Sequence, residues 1–206
     1  MARGSSKNNW LARQQRDPYV KQVQQSHYRS RAVYKLIEID DKDHLFKQGQ
    51  TIIDLGAAPG SWSQYVSEKI GDKGRLIAID ILPMEPIDNT LFIEGDFTEQ
   101  PVYEQCLQVM GNSKADLVIS DMAPNLSGIR ATDQARSLYL AELSFDLAKS
   151  VLKKGGDMLV KVFEGEGTDM YRHDLKELFE KVIVRKPKAS RDDSREFYVL
   201  AKSFRL

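Results

Sequence analysis

The sequence predicts an α/β fold: a mostly parallel sheet with helices on both faces, ending in an antiparallel hairpin. Three observations carry this reading. Apolar, β-branched runs at 51–55, 76–80, 91–93, 117–121 and 157–163 alternate with helix-length stretches at 61–70, 99–110, 133–152 and 168–180. The last two apolar runs, 181–186 and 197–203, have no helix between them, so they should pair antiparallel at one edge. A glycine turn, Gly56-Ala57-Ala58-Pro59-Gly60, joins the first of these strands to the helix that follows. Open α/β sheets bind ligands at such strand-to-helix turns.

Each element has its own local signal. Thr51-Ile52-Ile53 is a buried-strand run, and Gln64 to Ile70 continues as a helix beyond the turn. Gly155-Gly156 reads as a turn before the fifth strand of the alternation. Upstream, Ser30 is positioned to cap a helix whose apolar face is Val33, Leu36 and Ile37, with Lys35 off that face. Residues 1–17 are polar and basic, and are expected to be a disordered tail ahead of one domain spanning 18–206.

Composition narrows the class. A chain of 206 residues is long enough for one well-filled core. No apolar run approaches the roughly 18 residues of a membrane span, and the N-terminus lacks the apolar core of a secretory signal. Cys106 is the single cysteine and reads as a small helix core residue, while His27, His44 and His173 lack metal-ligand spacing. No metal site is expected, and a cytoplasmic location fits. The zero net charge hides a polarity. Residues 1–35 carry eight Lys/Arg against one acid, 181–206 carry eight against three, and the middle is acidic. Lys21, Arg29, Arg31 and Lys35 interleave with Tyr19, Tyr28 and Tyr34. Basic ends of this kind are either a solvated surface or a phosphate-binding one, and the aromatic interleaving suits RNA with exposed bases.

The glycine turn offers backbone N–H groups at a helix start, and twenty residues after Gly60 comes Asp80, closing the second strand. A carboxylate there can accept from both hydroxyls of a ribose. The turn lacks the middle glycine of a dinucleotide fingerprint and the Gly-Lys-Ser/Thr of a phosphate loop, which disfavours a pyrophosphate ligand and a dinucleotide oxidoreductase. S-adenosylmethionine fits better. Taken alone, the turn is only moderately specific, with an ordinary tight β–α connection as the competing reading. Asp96 and Asp121 also sit at strand ends, so three acids converge where such sheets bind ligands. Lys161 interrupts the apolar run Met158-Leu159-Val160-Lys161-Val162-Phe163, where a charge is costly unless it is paired, poised for chemistry or snorkelling from the strand end.

Several ordered motifs now carry a resemblance. Ser30-Arg31-Ala32 through Lys35-Leu36, Asp54 to Trp62, Ser120-Asp121-Met122-Ala123-Pro124-Asn125, Val160-Lys161-Val162-Phe163 with Gly165-Glu166-Gly167, and Ser194-Arg195-Glu196 together resemble the FtsJ/RrmJ-type 2′-O-ribose RNA methyltransferases. The resemblance runs from about Tyr19 to the C-terminus, and is narrowest to the bacterial members that methylate a uridine ribose in large-subunit (23S) ribosomal RNA. Two departures stand out: Ser61, where the family commonly has a second glycine, and Asp192-Asp193 in a loop expected to be basic.

The resemblance implies a Rossmann-like seven-stranded methyltransferase sheet and S-adenosylmethionine as cofactor. It implies a tetrad of Lys35, Asp121, Lys161 and Glu196 acting on the 2′-hydroxyl. By position, Gly56 and Gly60 should line the methionine end with Trp62 closing that side, Asp80 should hold the ribose, Asp96 the adenine edge, and Asp121 should serve cofactor and tetrad alike. Lys21, Arg29, Arg31 and Arg195 are the expected RNA contacts, with ribosomal RNA, within the large subunit, as partner of a monomer. The alternatives are a 2′-O-methyltransferase of tRNA or mRNA caps, which would use the same tetrad, and a non-catalytic ribosome-assembly factor of the same fold.

Overall fold

The structure is a computed structural model that describes residues 17–191 and 194–206. The tail expected over 1–17 lies, except for Asp17, outside the described residues, as do Asp192 and Asp193. In chain order the elements are α1 (Pro18–Gln24), α2 (Val33–Asp43), β1 (Thr51–Leu55), α3 (Ser61–Ile70), β2 (Arg75–Asp80), β3 (Thr90–Glu94), α4 (Gln100–Met110), β4 (Ala115–Ser120), α5 (Arg130–Val151), β5 (Leu152–Phe163), α6 (Thr168–Leu178), β6 (Phe179–Arg185) and β7 (Glu196–Phe204). They form the expected seven-stranded sheet, ordered β3-β2-β1-β4-β5-β7-β6. Strands β3, β2, β1, β4 and β5 run parallel, while β7 pairs antiparallel with both β5 and β6. The hairpin therefore inserts its second strand beside β5, and this brings the start of β7 to the end of β5.

Two cores explain the near-continuous apolar strands, because a parallel sheet is covered on both faces. Ile53, Leu55, Val118, Val160 and Val199 pack under α4, α5 and α6. Their strand neighbours Ile52, Ile119, Leu159, Tyr198 and Leu200 pack under α2 and α3. By strand alternation, Asp54 and Lys161 face the α2–α3 side. Among the described residues no helix is long and apolar enough to cross a membrane.

Two local expectations are corrected. Ser30 does not cap α2, which starts at Val33 with Ala32 as an N-cap that makes no side-chain bond. The Ser30 hydroxyl instead lies 2.7 Å from that of Ser61, tying the segment before α2 to the start of α3. Gly155-Gly156 does not end an element. β5 runs through it from Leu152, with a register shift against β4 and Gly155 at φ 78°. A bulge takes up the pair of glycines that the sequence reads as a turn.

Asp54 is the most deeply buried acid of the site region, fully enclosed on β1. Its Oδ2 accepts from the Ser63 hydroxyl at 2.6 Å, and Oδ1 has no partner. Burial, opposed by the Ser63 bond and reinforced by Asp121 and Asp80, pushes its carboxyl up to about 7. An acid whose pKa is raised on folding holds its proton better in the native state, so its contribution to stability falls as pH rises from about 4 to 7. Asp54→Asn cannot ionise. It should match the wild type near pH 4 and exceed it at pH 8 by up to about 4 kcal/mol. Urea unfolding at the two pH values checks this, and an equal difference at both would refute the burial argument.

Candidate active site

At the C-terminal ends of the parallel strands lies an open cavity of about 370 Å³. Gly56, Asp80, Asp96, Asp121, Met122 and Pro124 are among its lining residues. The acids at the ends of β2, β3 and β4 thus converge as the strand pattern predicts. Gly56 leaves β1 at φ 76°, and a Cβ there would meet the Met122 Cα and backbone nitrogen at 3.0 Å and its Cγ at 2.7 Å. Only a bare backbone fits so close beneath the segment that follows Asp121.

Asp80 holds this corner together. Its Oδ2 accepts from Ala58 N at 2.8 Å and its Oδ1 from Leu82 N at 2.9 Å. The carboxylate ties the glycine turn to the segment after β2, and each oxygen retains a lone pair for a further donor. Asp96 folds one oxygen, Oδ1, onto Thr98 N at 2.9 Å and Thr98 Oγ1 at 2.7 Å. Oδ2 has no partner among the described residues.

Beside the cavity stand the four charged groups. Lys161 is 7% exposed, its Nζ 3.0 Å from Asp121 Oδ1 and donating to the Asp121 carbonyl at 2.5 Å. Lys35, reaching in from α2, places Nζ 2.6 Å from Glu196 Oε1. The ammonium and carboxylate thus form a close ion pair, and this contact lowers the Glu196 carboxyl. The two pairs form one cluster because β5 and β7 are in register, with Lys161 opposite Tyr198 and Phe163 opposite Glu196. Burial raises the Asp121 carboxyl, but Lys161, Lys35 and the Tyr198 hydroxyl outweigh it and hold the group below the usual carboxylate range. Glu196 behaves likewise: burial raises it, and Lys35 with Lys161 brings it below its ordinary value. Each acid therefore feels both lysines, in a cluster of two positive and two negative charges that a single unpaired group could not survive in this setting.

Tyr198 is a member that sequence reasoning missed. Its hydroxyl donates to Asp121 Oδ1 at 2.6 Å, and burial beside Asp121 and Glu196 drives its pKa well up. An aromatic residue in an apolar strand reads as core, and only the β5–β7 register reveals its polar end.

Trp62 and Gly60 are placed elsewhere than expected. Trp62 does not close the cavity. It is buried in the core between α2 and the sheet, donating Nε1–H to Ala32 O at 2.8 Å with its ring 5.8 Å from that of Tyr198. Gly60 starts α3 at φ 105°, and the space a Cβ would need is taken by Arg29 Nη1, Met84 Sδ and Ile87 Cδ1. It supports the turn from behind and does not line the cavity.

The expected RNA contacts divide. Lys21 and Arg195 are exposed. Arg29 is corrected to a clamp on the backbone, donating to the carbonyls of Pro59, Glu85 and Pro86 at 3.1, 2.8 and 3.0 Å. Arg31 is also committed, 2.5 Å from Asp17 Oδ2 and donating to Ala189 O at 2.5 Å. Both guanidiniums satisfy fixed acceptors, so neither offers a free fork to phosphate. Arg29→Met should loosen the glycine turn. The expected loss is about 1–3 kcal/mol of stability, with weakened ligand binding in the cavity. Thermal unfolding with and without ligand checks this, and a variant unchanged in both would return Arg29 to the surface role.

Among the described residues, no group of three or more His, Cys, Asp or Glu is arranged to hold a metal. Comparison with known proteins agrees with the geometry. A family model described as FtsJ-like methyltransferase matches residues 28–204. A protein named ribosomal RNA large subunit methyltransferase E from Pseudomonas aeruginosa is 56% identical over 205 residues, covering 100% of this chain and 99% of that one. A protein of the same name from Marinobacter nauticus is 54% identical over 206 residues, covering all of both chains. Among solved structures, a ribosomal RNA methyltransferase from Plasmodium falciparum superimposes with a TM-score of 0.77 at 34% identity, covering 86% of this chain and 98% of that one. A cavity walled by three strand-end acids, a paired lysine in mid-strand and full-length similarity converge on one conclusion: the chain belongs to the FtsJ-like methyltransferase family.

Proposed function

We propose that this protein transfers a methyl group from S-adenosylmethionine to the 2′-hydroxyl of a uridine ribose in large-subunit (23S) ribosomal RNA. The observation that carries the chemistry is Lys161 held against Asp121 at the edge of the cavity. The names of the full-length relatives support the substrate.

The cavity residues fit the cofactor. Gly56 provides bare backbone, Asp80 would hold the ribose hydroxyls, and Asp96 offers an acceptor for the adenine amino group. When bound, S-adenosylmethionine supplies an electrophilic methyl group on a sulfonium. The protein's part is to align a weakly acidic hydroxyl and manage its proton. Lys161 stabilises negative charge developing on the 2′-oxygen when protonated, and accepts the proton when neutral. Asp121 and Tyr198 fix its position, while Lys35 and Glu196 complete the charge balance on the other side. These lysines fill the electrostatic role that a metal ion serves elsewhere, and the reading requires no metal.

RNA would bind through the exposed cations Lys21, Lys188, Arg191 and Arg195, on α1 and the segment between β6 and β7. Lys188, Arg191 and Arg195 closely precede Glu196 in the chain. In this reading residues 18–206 work as one domain, as a monomer with all tetrad residues from one chain, in the cytoplasm where large subunits mature.

The test is methyl transfer from labelled S-adenosylmethionine to large ribosomal subunits lacking the modification, followed by mapping of methylated riboses. Label at one uridine 2′-oxygen of the 23S RNA is expected. Label confined to tRNA would establish the alternative substrate, and no transfer to any RNA would sink the proposal.

A further inference from the structure

Helix α5 opens with three polar side chains that are buried: Asp133, Gln134 and Ser137. Segments leaving the two catalytic strands satisfy all three. Asp133 Oδ1 accepts from Ser127 N at 2.7 Å and Ser127 Oγ at 2.8 Å, and Oδ2 accepts from Gly128 N at 3.1 Å. Gln134 Nε2 donates to Glu166 O at 2.6 Å, and Ser137 Oγ accepts from Phe163 N at 3.1 Å. One face of one helix thus sets the course of the chain after Asp121 and after Lys161. Buried polar groups are worth their desolvation only when fully used, and these fix a loop that short connections would otherwise leave loose.

The pinned loop carries a second feature. Leu126 and Ile129 are 68% and 63% exposed, on a segment whose first residues, Met122 to Asn125, line the cavity. Two large aliphatic side chains stand in water on a rigid loop at the rim of the site. Arg130 follows directly and is exposed. Phosphates and sugars gain nothing from leucine and isoleucine, whereas the face of an unstacked base does.

We propose that the loop from Met122 to Ile129, held by Asp133, is a base-contacting rim on which Leu126 and Ile129 receive a nucleobase adjoining the methylated nucleotide. The occupant is a single-stranded base of the RNA substrate, because the loop continues directly from Asp121 and its neighbour Arg130 supplies a cation for the adjacent phosphate. Asp133 is a positioning residue: it shapes the loop and touches no reacting atom. This rests on the RNA methyltransferase reading above.

The test combines variants with altered RNA. For L126A/I129A, KM for RNA should rise at least about fivefold, a modest share of what covering two aliphatic side chains contributes. kcat at saturating RNA and affinity for S-adenosylmethionine should be retained. Asp133→Asn should shift KM in the same direction, and the edge-strand variant Val184→Ala should not. In the wild type, an abasic residue at one position flanking the target should cost a similar factor in binding, and L126A/I129A should erase that penalty. An unchanged KM, or a full abasic penalty in the double variant, would overturn the inference while leaving the functional reading intact. A defect equal in cofactor binding would overturn it too, assigning the loop to the cofactor. A wild type that methylates no RNA would instead remove the reading on which it rests.

Discussion

Lys161→Met is expected to slow methyl transfer in a single turnover by at least about 100-fold, the lower end of what general acid–base groups contribute. The side chain is almost fully enclosed and makes two contacts with Asp121, one to its carboxylate and one to its carbonyl. Methionine keeps the length and the packing volume but removes the charge and the donor. In the proposed mechanism the 2′-hydroxyl then loses the lysine that stabilises its developing charge or takes its proton. Asp121 loses the first of the cations that hold its carboxyl low, though Lys35 and Tyr198 remain. A depressed acid stabilises the fold above its unfolded pKa and loses that contribution as pH falls through the folded value. The variant should therefore surrender the Asp121 contribution at a higher pH than the wild type does, when unfolding is followed from pH 7 downward. Cofactor and RNA should still bind, because neither the Asp80 corner nor the exposed cations are touched. Rapid-quench measurement with saturating RNA and cofactor gives the rate. A near-normal value would show that Lys161 is structural and the mechanism wrong.

The second large effect concerns Asp80. Asp80→Ala should weaken S-adenosylmethionine binding by about 1.5–3 kcal/mol, the range for hydrogen bonds to a charged group. That is roughly 10- to 150-fold in affinity. In the proposed mechanism this residue has two tasks. It would accept the ribose hydroxyls, and it already accepts Ala58 N and Leu82 N, joining the glycine turn to the segment after β2. Removing it frees both backbone amides and loosens the wall of the cavity, which favours the upper end of the range. Asp80→Asn retains one acceptor and should fall between the two. Calorimetry on variants shown to be folded decides the matter. Unchanged affinity in a folded Asp80→Ala would take the ribose away from this residue.

The strand pattern, the turn at Gly56 and the three strand-end acids were legible because they are local. Period, burial and turn chemistry act over a few residues, and a parallel sheet turns such local patterns into one common edge. Lys161 was legible for the same reason: a charge inside an apolar run is anomalous without any knowledge of its partners. The error at Ser30 is also local in kind. A serine before an apolar face reads as a cap, yet α2 starts three residues later, and the hydroxyl lies against Ser61 and accepts from Ala32 N.

What only the tertiary structure decided is where each side chain spends its hydrogen bonds. Arginines in a basic stretch look alike in sequence. Arg29 and Arg31 turn inward to backbone carbonyls and Asp17, while Lys21 and Arg195 face water, because their partners come from segments far away in the chain. Trp62 sits in the helical continuation of the glycine motif, but the helix turns it toward Ala32 and Tyr198 and away from the cavity. Tyr198 joins Asp121, and Asp133 clamps the loop before α5, through contacts that composition cannot signal. The sequence by itself determined the sheet, the crevice at the strand ends and the anomalous lysine, since these follow from periodicity and from the cost of burying charge. Which neighbours satisfy the buried charges was left to long-range register and packing, where a two-residue shift of β7 against β5 would pair Lys161 with a different side chain.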